Sequence, residues 1–191
     1  NIFHPHRDTL AYSENNVVAG LLGLPAYLLT QNPFATHNTS MLLGFVLAFL
    51  GAYALVRHLT RCTAAALVAG LAFAYCPFMF ARTAHIQLML FFGLPFAMLA
   101  MHRLVERRTV AHSLALGGVL AVQALACGYY GIFAGMMVGA GTLYYAVTRR
   151  LWRSGAYWGL VALAAALSVG VVVPFFLPYV RVQEELGFTR T

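Results

Sequence analysis

Residues 109–148 read TVAHSLALGGVLAVQALACGYYGIFAGMMVGAGTLYYAVT, with no Asp, Glu, Lys or Arg among them. About 18 or more such residues suffice for one transmembrane helix, and this run is long enough for two. Cys127-Gly128-Tyr129-Tyr130-Gly131 divides it. The two glycines suit a turn and the two tyrosines suit a membrane interface, so the run reads as a helical hairpin. A second uncharged stretch, from Ser154 to Val180, carries the same message. Across the 191 residues, hydrophobic side chains make up 61% and charged ones 9%, with mean hydropathy +0.77. That composition excludes a soluble globular domain and predicts an all-α, polytopic transmembrane bundle.

The same criterion predicts six spans, over 38–56, 62–81, 83–101, 110–127, 130–148 and 155–177. At 1.5 Å per residue each covers about 27–35 Å, against a hydrocarbon core of about 30 Å. Residues 16–30 are different. Their apolar core, VVAGLLGLPAYLL, contains Pro25 and is too short to span. It reads as an interfacial helix, lying in or dipping into the membrane surface. The expected organisation is an outer loop over 1–37, a six-span bundle over 38–178 and the start of another outer segment over 179–191.

Net charge is +7, and all twelve basic residues are arginine. Eight of them, Arg57, Arg61, Arg103, Arg107, Arg108, Arg149, Arg150 and Arg153, lie in alternate short loops. This pattern is a topology signal rather than a nucleic-acid footprint, and it makes those loops cytoplasmic. Both termini then face the outside, and so do Asp8, Glu14, Glu184 and Glu185. Cys62, Cys76 and Cys127 are too few and too scattered for a disulfide framework. Small residues recur within the spans, including Gly117-Gly118, Ala164-Ala165-Ala166 and a GxxxG at Gly135 and Gly139. They are expected to pack helices of one chain closely, and oligomeric state stays open. Asn1 is not an initiator methionine, and both ends read as cut from something longer.

Chemistry is expected in three places. Asp8 and Glu14, in NIFHPHRDTLAYSEN, could serve as general base or as ligands for a divalent metal ion that holds a phosphate. The alternative makes Asp8 a helix cap and Glu14 a solvated surface group. His4 and His6 could chelate metal, but no further ligands stand at characteristic spacing. The second place is FARTAHIQLML, where Arg82 and His85 would share a helix face at a span mouth, with Gln87 close by. Arginine's planar fork suits a phosphate. The third is Tyr179 and Arg181, with Glu184 and Glu185, after Pro174 and Pro178 end the last span. Nucleotide-binding loops, zinc spacings and nucleophile elbows are absent from the sequence.

FHPHRDTLAYSE, ARTAHIQL and PFFLPYVRVQEELGF, in that order around the oily spans, resemble bacterial multi-pass membrane glycosyltransferases of the C-type fold. The likeness runs over essentially the whole chain. The resemblance implies a helical bundle in the bacterial inner membrane that transfers a hexosyl or pentosyl group from a polyprenyl-phosphate donor on the extracytoplasmic side. It also implies that a first span and the start of the outer loop lie upstream, with the family's main catalytic Asp among them. Asp8 and Glu14 would then be the acids of the loop's latter part, and Arg82, His85, Gln87, Tyr179 and Arg181 the donor-binding groups. The other expectations are a transporter or flippase without catalysis and, third, a membrane scaffold with degenerate sites. Pro95 could break a helix for a transporter, but no ionisable group stands near a span centre.

Overall fold

The computed structural model describes Ala11 and residues 14–186, without the side chains of 185 and 186. Among the described residues every regular element is helical. The α-helices are α1 (Val17–Thr30), α2 (Pro33–Thr60), α3 (Thr63–Ala74), α4 (Pro77–Ala81), α5 (Ile86–Met89), α6 (Gly93–Arg107), α7 (Val110–Ala126), α8 (Gly128–Thr148) and α9 (Gly155–Leu186). One 3-10 turn, Leu151–Arg153, precedes the last helix.

Five stretches are long and apolar enough to cross a membrane: Pro33–Thr60, Thr63–Ala81, Ile86–Arg107, Gly128–Thr148 and Gly155–Glu184. This is a multi-pass membrane protein. Large apolar side chains stand exposed around the bundle, among them Leu21, Val68, Ile132 and Val169. In water that would be a liability; in lipid it is the ordinary outer surface. The stretch expected as a fourth span, α7, has 17 residues and covers about 25 Å. It packs against α1, α6, α8 and α9, so the shortest of the expected spans lies at the centre of the bundle.

Two of the expected spans are interrupted. The span over 62–81 breaks between α3 and α4, where Cys76 is extended (φ −66°, ψ 153°) and Pro77 starts the next helix. Proline disfavours helical geometry in the residue before it, which explains a stop that hydropathy does not show. The span expected over 83–101 breaks between α5 and α6, at residues 90–92. Pro95 then sits in the first turn of α6, where its missing N–H costs least. Gln123, wholly buried on α7, bridges this second break. Its Oε1 accepts from the Gly93 N–H at 2.7 Å, and its Nε2 donates to the Leu90 carbonyl at 2.9 Å. The two breaks adjoin, since the Phe73 and Phe91 rings meet edge-on at 4.7 Å.

Helix α1 runs antiparallel beside the start of α2. Ser40 Oγ donates to the Ala19 carbonyl at 2.7 Å, and Gly23 lies so close to Ser40 and Thr36 that an added Cβ would come within 2.6 Å of both. With 14 residues it covers about 21 Å. At the other end of the chain, α9 continues through Pro174 and Pro178 instead of stopping at them.

Small residues set the close contacts, but not all those expected to. Gly117 faces the Ala164 carbonyl, Gly70 faces Phe49 and Gly131 faces Ala124, each with no room for a Cβ. A Cβ on Gly118, Gly135 or Gly139 would meet nothing within 4 Å, so the GxxxG of α8 makes no close contact with the described residues. The arginine-rich loops gather at one end of the bundle. There His58 of α2 meets Glu106 of α6 at 3.2 Å, and the Tyr145 hydroxyl of α8 lies 3.0 Å from His102 Nδ1 of α6.

Candidate functional site

At the end opposite the arginine-rich loops, α7 turns into α8 through a single residue. Cys127 is extended (φ −159°, ψ 118°), and α8 begins at Gly128. The turn is therefore tighter than the five-residue signal suggested. Its glycines serve close approach: a Cβ on Gly131 would fall 2.6 Å from Ala124 Cα. Beside this turn passes the last third of α9. The segment 14–16 enters from the other side and is held at the head of α1, where Asn15 Oδ1 accepts from the Val17 N–H at 3.1 Å. Asn16, in the left-handed region (φ 48°), donates from Nδ2 to the Glu14 carbonyl at 3.4 Å.

These elements enclose a recess of about 510 Å³. Ala124, Ile132, Val172 and Phe176 supply apolar wall, and Glu14, Asn15, Tyr129 and Tyr179 supply polar side chains. Glu14 is half-buried and makes no ion pair among the described residues. The Tyr179 ring stacks on Phe176 at 5.4 Å and stands within electrostatic reach of the Glu14 carboxylate. Cys127 is buried behind the recess.

Of the expected site residues, the structure brings Glu14 and Tyr179 together in one recess. Asp8 lies outside the described residues. Arg82 and His85 do not share a helix face, because α4 ends at Ala81 and α5 starts at Ile86. They sit instead on a turn closed by the His85 N–H donating to the Arg82 carbonyl at 2.8 Å. Both are exposed, and neither lines the recess. The Arg82 guanidinium lies 5.5 Å from the Phe78 ring centroid, and its charge reaches the Tyr130 hydroxyl. That hydroxyl donates to the Leu88 carbonyl at 3.3 Å and ties α5 to α8. Tyr130 itself is not among the residues that line the recess. Gln87 is half-buried and Arg181 is exposed, both off the recess wall.

Tyr129 was read as an interfacial anchor, yet it lines the recess. A pair of tyrosines at a hairpin tip fits either role, and only the approach of α9 decides between them. Among the described residues, no three His, Cys, Asp or Glu side chains stand close enough to bind a metal ion, and of these types the described lining of the recess holds Glu14.

The family described as Domain of unknown function (DUF6311) matches residues 1–190. No curated protein matches the chain. No solved structure matches it either.

Proposed function

The chain belongs to that family, whose description names no activity, and from the geometry of the recess we propose a membrane glycosyltransferase that takes a sugar from a polyprenyl-phosphate donor on the extracytoplasmic side. The observation that carries this reading is Glu14, a carboxylate that makes no ion pair among the described residues and lines an otherwise mostly apolar recess. A transferase needs a group to accept the proton of the acceptor hydroxyl as its oxygen attacks the anomeric carbon. The bond from that carbon to the lipid phosphate breaks, and the departing phosphate needs a cation. Arg82, whose charge reaches the Tyr130 hydroxyl on α8, is one candidate, with His85 on the same turn. Arg181 lies on α9 two residues beyond Tyr179, whose ring is in the recess wall. The apolar wall would hold isoprenoid.

Glu14→Gln in the full-length protein, reconstituted with a polyprenyl-phosphate sugar and an acceptor, should lower turnover by about 10²–10⁴-fold. Arg82→Ala should lower it roughly ten- to a hundredfold, the loss of one charge-assisted contact of about 1.5–3 kcal/mol. Normal turnover of folded Glu14→Gln protein would end the proposal.

A transporter remains the second reading because two helices are discontinuous, as in many carriers. Against it, Gln123 already bonds backbone groups on both sides of one break and closes it within the bundle. Flux of a polyprenyl-phosphate sugar across proteoliposomes that show no transfer would favour that reading.

A further inference from the structure

We infer that a groove between α6 and α7 holds one anionic phospholipid from the leaflet at the arginine-rich end. The groove encloses about 270 Å³, and only these two helices line it. On α6, Phe96, Ala100 and Arg103 follow one another at spacings of four and three; on α7, His112, Ala115 and Val119 do so at three and four. Such spacings place each set on one helix face. Alanine at 100 and 115 keeps the middle of the groove low, since neither side chain extends past Cβ. From Phe96 to Arg103 it runs about 10 Å, within the roughly 15 Å of hydrocarbon in one leaflet.

Polarity is ordered along that length as it is along a phospholipid. Phe96 and Val119 lie deep and the alanines lie between, while Arg103 and His112 stand at the mouth, on the side of the α6–α7 turn. Arg103 makes no ion pair among the described residues. His112 places Nδ1 2.6 Å from Thr109 Oγ1, and its Nε2 makes no hydrogen bond among the described residues. The planar arginine fork and a ring N–H can therefore both serve a phosphate, with an acyl chain continuing down the groove. The cationic mouth above an apolar trough favours a charged lipid over an apolar partner helix, which would leave the arginine facing no counter-charge. This site is distant from Glu14 and independent of the glycosyltransferase reading.

Native mass spectrometry on the full-length protein in detergent tests this, with phosphatidylglycerol and phosphatidylcholine of the same acyl chains as probes. One phosphatidylglycerol should bind clearly tighter than phosphatidylcholine. Arg103→Ala should weaken it about tenfold, the effect of one charge-assisted hydrogen bond. Ala115→Leu, which fills the trough and keeps Arg103 and His112, should also weaken it. Arg153→Ala removes a cation at the same end but outside the groove and should change little. Circular dichroism on each variant checks that the helices persist, and Arg103→Ala alters only an exposed side chain. Equal binding of the two lipids would overturn the inference, as would equal losses from Arg103→Ala and Arg153→Ala. Displacement by millimolar inorganic phosphate would replace the lipid with a soluble anion and overturn it too.

Discussion

Gln123 is a buried side chain that holds a broken membrane helix together. Its amide supplies an acceptor to Gly93 and a donor to Leu90, both facing a backbone that has no helical partner at that level. Replacing it with leucine keeps the volume but strands two buried backbone groups, each worth about 1–3 kcal/mol when unsatisfied. Gln123→Leu should therefore lose about 2–4 kcal/mol of stability, seen as easier unfolding in mixed micelles, and a normal unfolding curve would count against this role. The residue was not legible in the sequence because it carries no charge and sits inside an otherwise apolar run. Glu14 was legible for the opposite reason: in a chain with five carboxylates, any acid next to a short apolar helix stands out. Its partners were not. Tyr179 is some 165 residues away in sequence, and nothing in periodicity brings the tip of the α7–α8 hairpin between them.

At the scale of elements, hydropathy locates where chain enters lipid but not where helices stop within it. The breaks before Pro77 and near Pro95 interrupt uniformly apolar runs, so they depend on proline geometry and on what α7 offers opposite them. Glycine patterns are equally silent about which face packs. Gly117 and Gly118 are adjacent on α7, yet a Cβ at 117 would lie 2.5 Å from the Ala164 carbonyl oxygen while one at 118 would touch nothing within 4 Å. Gly117→Ala should push α7 and α9 apart at a cost of about 1–3 kcal/mol. Gly118→Ala should stay within about 0.5 kcal/mol of the parent, or gain slightly from helix propensity. Thermal unfolding of the two variants side by side decides the matter, and equal behaviour would show that the α7–α9 contact is not as close as described.

For the whole molecule, the alternating arginines and the helix order agree on a bundle with two chemically different ends. Cysteines placed at Gln31 and Ser154, with Cys62 replaced by serine, should label from opposite sides of the membrane in intact cells. Labelling of both from one side would overturn the arrangement. The central position of α7 also has a consequence in time. Ser113 donates to the Leu160 carbonyl at 2.6 Å, a bond across 47 residues, and Gly117 meets Ala164 on the same face. A ribosome adding about 5–20 residues per second needs roughly 2–9 s to make that stretch. Throughout that interval α7 waits in the membrane with a hydroxyl and a bare glycine face uncovered, and only the final helix closes them. Nascent chains stalled before Gly155 should accordingly be cleared by membrane proteases much faster than chains released after Leu186, and pulse-chase of the two lengths would measure the difference.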